Sequence, residues 1–438
     1  MYGMEISEEI ASAFRESSMN LNLRLKLTVM MALEYSIWGA WSAVAGQYYT
    51  SLGVAHGFTG KTMGAMFSLM PLAMILSPFF VGHIADRWIH AEKLLGILHL
   101  TGAILLYFIG SQWNFMPMAV FMFVFALFFA PTVALTNAIA FHHLASNARI
   151  FSHIRVGGTI GWMGGACLLG MWRILGGGMH HGDLFFVASI LAVVMGAYSF
   201  FLPPTPPKAD SANPLAFLDA LQLFKDRNFL IFMLMTFIGA TQFDFYYIFG
   251  NAYLSTPVSQ HGIGLSVSIL PFFMSLSQVS EVVIMVILPW LLPKIGFRRG
   301  ITLGMGTWSL RFFLLALFPI KAFAMFALLL HGICISFYII LSVMYVNEVA
   351  PDSIRASAQS LASLAVFGLG RYIGSFIAGI FRDMFTVAYP GSPAITDWRA
   401  VFVIPACMLL LCAILFPILF RDEEARKISL SKPVLEGE

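Results

Sequence analysis

The chain has 438 residues, of which 59% are hydrophobic and only 11% charged, with a formal net charge of +3. That charge content is roughly half of a soluble domain's, which excludes a water-soluble globule of this length. A bilayer accommodates such a surface, because a spanning helix needs about 20 predominantly apolar residues, and runs of that kind recur along nearly the whole chain. Their length, and their richness in Leu, Met, Phe and Ala, exclude the weakly alternating strands of a membrane barrel.

Residues 1–26 are polar. They carry Glu5, Glu8, Glu9 and Glu16 and lack the apolar core of a cleavable signal peptide. Hydropathy places the first six spans at 27–50, 61–82, 93–111, 116–144, 154–173 and 184–202. A polar interruption at 203–227 follows, then spans at 228–250, 264–292, 301–319, 322–346, 358–381 and 400–420, and a tail at 421–438. The interruption opens with Pro203, Pro204, Thr205, Pro206 and Pro207, and Asn213-Pro214 can cap and begin a short helix. Phe217, Leu221 and Phe224 would share one face of it, suited either to the inner membrane surface or to packing on the protein.

The 25 Lys and Arg residues sort unevenly across twelve spans. Only Lys61, Arg173, Lys321, Arg382 and Arg399 fall on one side, Arg155, Arg311 and Arg371 lie within spans, and the rest share the other side. The positive-inside rule puts both termini in the cytoplasm, with the chain in the inner (cytoplasmic) membrane. This distribution explains the net charge without a nucleic-acid partner. Cys167, Cys334, Cys407 and Cys412 all fall inside spans and read as small core residues rather than disulfides or metal ligands.

Two six-helix halves, 27–202 and 228–420, joined by a cytoplasmic linker describe the major facilitator architecture. Between the second and third spans, Gly82-His83-Ile84-Ala85-Asp86-Arg87 resembles the G-x-x-x-D-R loop of that superfamily. Gly82 would permit close helix approach, while Asp86 and Arg87 would supply the charge contacts of an inner gate. The matching loop of the second half, Lys294-Ile295-Gly296-Phe297-Arg298-Arg299, keeps the basic charge and lacks the acid.

Ionisable groups within spans are costly and therefore functional candidates. The acids are Glu34, Asp244 and Glu281 and the bases are Arg155, Arg311 and Arg371, an equality that suggests pairing around a wet central cavity. In the fifth span, Arg155, Thr159 and Trp162 follow i, i+4, i+7 spacing and share a face. Gly157, Gly161 and Gly165 form a small-xxx-small stripe on roughly the opposite face, suited to close helix packing. One side of this helix packs, and the other offers a cation, a hydroxyl and an aromatic ring to a polar ligand with a flat ring. In the eighth span, Gln278 and Glu281 point the same way, and an amide beside a carboxylate can bind vicinal hydroxyls or a base edge. Asp244 and Tyr247 make a similar pair in the seventh span, and Trp38 and Trp41 add indole surface in the first. A Walker loop, a dinucleotide fingerprint and an H-E-x-x-H motif are all missing, and His142-His143 and His180-His181 sit at span ends. No enzyme, cofactor or metal site is expected.

Several segments, in order, resemble the bacterial nucleoside:proton symporters of the major facilitator superfamily. They are Ile37-Trp38-Gly39-Ala40-Trp41, Pro131-Thr132 with Asn137, Ile154-Arg155 with Gly158-Thr159-Ile160-Gly161, and Phe249-Gly250-Asn251. Ser275 through Glu281, Ile354 through Gln359 and Ile395-Thr396-Asp397-Trp398 continue the series, and the likeness runs from about Met19 to Arg421. The resemblance implies a monomeric transporter in the lipid bilayer that takes up nucleoside together with protons. It implies a nucleoside site at Arg155, Thr159, Gln278 and Glu281, with Trp162 standing where the family has Phe. It also implies that residues 1–18 are dispensable or that Met19 is the start.

The chain departs from the family in two places. Asp244 and Tyr247 stand where the seventh span of the family has Gln and Asn. His331, Ile335 and Ser336 stand where its tenth span has Tyr, Phe and Asp. Arg371 is also unlike the family. The expected mechanism is alternating access around a midplane site, in which Glu281 binds substrate and Asp244 couples the proton, since desolvation favours the neutral form of a carboxyl group. The rival readings are a proton-coupled permease for a sugar or other polar metabolite, and a receptor that binds nucleoside without moving it.

Overall fold

A computed structural model of the protein describes residues 2–77, 89–144, 148–207, 216–387 and 394–421. The proposed gate residues Gly82, Asp86 and Arg87 lie outside the described residues, as does the Asn213-Pro214 start of the linker helix. The first half comprises α1 (Tyr2–Ser42), α2 (Ala45–Leu52), α3 (Gly60–Ser77), α4 (Ala91–Gly110), α5 (Phe115–His143), α6 (Ala148–Leu175) and α7 (Asp183–Ser199). A 3₁₀ segment, Ala216–Lys225, leads into α8 (Arg227–Ser255), α9 (Leu270–Leu317), α10 (Lys321–Val349), α11 (Arg355–Met384) and α12 (Trp398–Leu419). A two-residue antiparallel ribbon pairs Thr386–Val387 with Ile395–Thr396 before α12. Among the described residues, seven helices are long and apolar enough to cross a membrane, namely α4, α5 and α8–α12, while α7 is apolar but shorter.

Three elements differ from the sequence expectation. The first span is two helices, broken at Ala43–Val44. Helix α9 starts at Leu270, six residues later than expected, because a turn with left-handed His261 and Gly264 precedes it. Pro271 in the first turn is the local start signal. Helix α9 then runs on through both the eighth and ninth expected spans, with Gly296 as its one non-helical residue (φ 71°, ψ 172°). Only glycine adopts that φ without strain, so the basic loop of the second half is a one-residue break. Arg173, expected in an outer loop, is fully buried, its Nε and Nη2 donating to Asp183 at 2.8 Å each. The linker's 3₁₀ segment packs on the start of α11, with Phe217 and Phe224 half-buried and Leu221 exposed.

The glycine stripe of α6 behaves as its spacing implies. A Cβ on Gly157, Gly161 or Gly165 would strike Thr28, the backbone of Ala32, or the backbone of Ser36, so α6 lies flush along α1. Apolar side chains such as Val286, Trp290, Ile414 and Ile418 are exposed on the outside of the helices, as lipid contact requires.

Among the described residues, hydrogen bonds between the two halves gather at the end that carries few Lys and Arg. Asp383, near the end of α11, accepts from the backbone N–H of Gly60 (2.5 Å) and Lys61 (2.8 Å) at the N-terminus of α3. Arg173 Nη1 donates across to Val267 O at 3.1 Å. Asp383 therefore caps a helix of the opposite half. Losing such a cap costs about 0.5–2 kcal/mol, a roughly two- to thirtyfold change in an equilibrium. Asp383→Ala should accordingly raise labelling of a cavity cysteine at Ser42 by an impermeant thiol reagent added on this face, in a background without the native cysteines. Unchanged labelling would remove Asp383 from the seal.

Candidate functional site

A central cavity of about 310 Å³ lies between the halves. It is lined from α1, α2, α3, α5 and α6 on one side and from α8, α9, α10 and α11 on the other. All six expected substrate-binding residues line it: Arg155, Thr159, Trp162, Tyr247, Gln278 and Glu281. The triplet Arg155, Thr159 and Trp162 and the pair Gln278 and Glu281, each placed by sequence spacing on a single helix face, thus meet across one space. The Arg155 guanidinium sits 4.1 Å from the Tyr35 ring centroid, a cation–π contact that orients it without consuming its hydrogen-bond donors. Trp38 stacks beside Tyr35 with centroids 6.3 Å apart. Aromatic rings, a guanidinium, an amide and a carboxylate around one cavity can hold a flat base on one side and hydroxyls on the other.

Asp244 is placed differently. It is fully buried behind the cavity wall, and its hydrogen bonds go to α11: Arg371 Nη2 donates at 2.6 Å, Arg371 Nε at 3.3 Å and Ser375 Oγ at 2.9 Å. Arg371 itself lines the cavity and lies 5.1 Å from the Tyr247 ring centroid. Asp244 and Arg371, two of the residues the resemblance marks as departures, are therefore each other's partners. Glu34 is absent from the cavity wall. It is buried within the first half, accepting from Thr132 Oγ1 at 2.6 Å and lying 2.7 Å from His99 Nε2. The equal count of acids and bases thus does not resolve into three cavity pairs.

Two contributors escape a reading of sequence alone. The break between α1 and α2 is held open by Asn251 of α8. Its Oδ1 accepts from Gln47 N (2.7 Å) and its Nδ2 donates to Ala43 O (3.2 Å). Those are the two ends of an ordinary helical i to i+4 bond, into which the amide has inserted. The second is His331, which lines the cavity 3.7 Å from Glu281. Gly332 permits this approach: a Cβ there would meet the Ser280 backbone, and its N–H donates to Ser280 Oγ at 2.9 Å. A π-helical turn, Ile335–Ile340, follows, and another, Leu364–Gly370, precedes Arg371 in α11. Such turns recur at functional sites, and here both border the cavity through Ile335, Ile339 and Phe367. Ser336, where the family has an acid, is fully buried and does not line the cavity.

Known proteins resemble this chain along nearly its full length. The putative nucleoside transporter YegT of Escherichia coli is 32% identical over 415 residues, covering 91% of this chain and 94% of that protein. The xanthosine permease of Escherichia coli is 30% identical, covering 90% and 95%. The crystal structure of the nucleoside transporter NupG superposes with a TM-score of 0.79 at 25% identity, covering 91% of this chain and 99% of that one. A D-xylose–proton symporter shares the fold, with a TM-score of 0.68 at 13% identity over 92% of this chain and 99% of that one. The fold is thus that of the major facilitator transporters. The nucleoside H⁺ symporter family model matches residues 19–425, and the chain belongs to that family of transporters.

Proposed function

We propose that this protein imports nucleosides across the inner (cytoplasmic) membrane by proton symport, working as a monomer through alternating access. Its family membership supports the proton-coupled nucleoside transport. The observation that carries the site is that Arg155, Thr159 and Trp162 of α6 face Gln278 and Glu281 of α9 across one cavity. On this reading, twelve passes divide into halves 27–202 and 228–420 about the linker 203–227, with 1–26 and 421–438 in the cytoplasm. The cross-half bonds then seal the outer end, which makes the conformation inward-facing. Gly82, Asp86 and Arg87 are assigned to the inner gate.

The base lies against Trp162, and Arg155, Thr159, Gln278 and Glu281 hydrogen-bond the ribose and base edges, with Tyr247 closing the second-half wall. Asp244 is the proton-coupling group. A proton on Asp244 removes the charge that holds Arg371, so protonation changes a side chain of the cavity wall from behind. An ion pair broken by neutralising one member leaves the other uncompensated, a strong effect in a buried site.

Liposome uptake of labelled uridine, with a competing panel of nucleosides and sugars, tests the whole reading. Uridine should accumulate under an inward proton gradient, and sugars should not compete; competition by sugars alone would replace the substrate class. Glu281→Gln should abolish nucleoside binding at every pH. Asp244→Asn should keep binding and exchange between equal pools but lose uphill accumulation. Continued concentration of uridine by Asp244→Asn would remove that residue from coupling. Trp162→Ala should weaken binding about tenfold, within the roughly 1–3 kcal/mol of base–aromatic stacking, and Trp162→Phe should restore most of it.

A further inference from the structure

Arg311 is a guanidinium in the last two turns of α9 with no exposed surface, stacked 3.5 Å from the Tyr246 ring centroid. Its Nη1 lies 2.8 Å from Nδ1 of His331. Arginine carries five N–H donors and no acceptor, and it stays charged in proteins. The hydrogen bond therefore has one possible polarity: Arg311 donates, and His331 Nδ1 accepts through its lone pair. The ring's single proton then sits on Nε2, and Nε2 is the atom 3.7 Å from Glu281 Oε2.

The donor-only partner fixes more than a tautomer. A second proton on His331 would set an N–H against a guanidinium N–H at hydrogen-bond distance and add a charge beside a fixed one. Every group facing the ring except Glu281 argues the same way. From α9 come Arg311 and Glu281, and from α8 the rings of Tyr246 and Tyr247, whose centroids lie 6.3 Å and 6.4 Å away. On its own helix Cys334 is one turn on, and phenols and thiols are neutral at ambient pH. Glu281 alone would favour a charged ring, but it touches the edge that already carries a proton. The buried Arg311 has no carboxylate in contact among the described residues, and its polar contacts lead through the imidazole towards Glu281.

We propose that His331 is a fixed, neutral Nε2–H donor, held by Arg311 against Glu281, and that it positions the substrate-binding carboxylate rather than carrying the transported proton. This rests on the assignment of Glu281 as a substrate ligand. It explains how a histidine can occupy the cavity wall of a proton-coupled transporter without short-circuiting it. Arg311 is then a positioning residue that acts through His331.

Two measurements test it. The first uses labelled uridine in proteoliposomes. His331→Gln keeps an acceptor for Arg311 and an N–H for Glu281 but cannot titrate, so it should concentrate uridine under an inward proton gradient with KM within about threefold of the unmodified protein. His331→Leu loses the Arg311 hydrogen bond and the polar contact with Glu281, and should raise KM about tenfold, within the range of a lost polar interaction to a charged group, while the accumulation ratio at saturating uridine is kept. Exchange without accumulation in His331→Gln would make His331 a proton carrier and overturn the proposal, as would an unchanged KM in His331→Leu. The second is ¹⁵N NMR of histidine-labelled full-length protein, without substrate. One ring should keep the neutral Nε2–H pattern down to about pH 5.5, vanish from the spectrum in His331→Gln, and become titratable in Arg311→Met. Full charging of that ring in the unmodified protein would overturn the proposal. Because this readout needs no nucleoside, its outcome is independent of whether uridine is the right substrate.

Discussion

A charge inside a bilayer must find its partner on another helix, and that requirement organises this molecule. Asp244 of α8 is held by Arg371 of α11, Arg173 of α6 by Asp183 of α7, and Glu34 of α1 by His99 and Thr132 of α4 and α5. These pairs differ in what they fasten. Glu34 and Asp183 tie helices within the first half, where relative motion would serve no transport step. Asp244 ties two helices within the second half, yet its partner also forms part of the cavity wall. On the proposed assignment, a proton on Asp244 acts on the cavity wall through Arg371.

The second constraint is backbone. Helices that must lie flush and still carry polar groups inward need interruptions, and in lipid each freed N–H or C=O has to be satisfied by protein. Asn251 meets that need at the α1–α2 break, and it does so from the other half. The bond it makes therefore links local helix geometry to the relation between halves. Ser280 does the same for Gly332 within the second half, which is what brings His331 beside Glu281. The cavity owes its polar lining to these breaks as much as to the identities of the side chains.

Much of this was legible in the chain because helical spacing is a local property. The i, i+4, i+7 set of Arg155, Thr159 and Trp162, the i, i+3 pair of Gln278 and Glu281, and the Gly157-Gly161-Gly165 stripe all express a period of 3.6 within one helix. The fold emerged from hydropathy and the family resemblance for the same reason. Partnerships between helices have no such local sign. Nothing near Asp244 points to Arg371, 127 residues on, and nothing near Glu34 points to His99. His331 stood out only as a departure from the family. Its meaning came from Gly332, whose missing side chain matters only once α9 is seen against α10. The late start of α9 was readable in principle from Pro271, but hydropathy begins before the turn ends.

On the proposed assignment, the division of labour between the two carboxylates follows from their surroundings. Glu281 reaches the cavity, whose lining it shares with Arg155 and Gln278. As an anion it accepts hydrogen bonds from ribose hydroxyls. Asp244 has one cation and one hydroxyl, both on a single helix. When Asp244 takes a proton, Arg371 is left with its charge facing a cavity whose acceptors are few. A nucleoside brings carbonyl and hydroxyl oxygens to that place. Proton and substrate then each lower the cost of binding the other, and by linkage the coupling is equal in both directions. A symporter needs that sign of coupling. An antiporter would need the substrate to compete for the protonated acid itself, and Asp244, shut behind the wall, is beyond a substrate's reach.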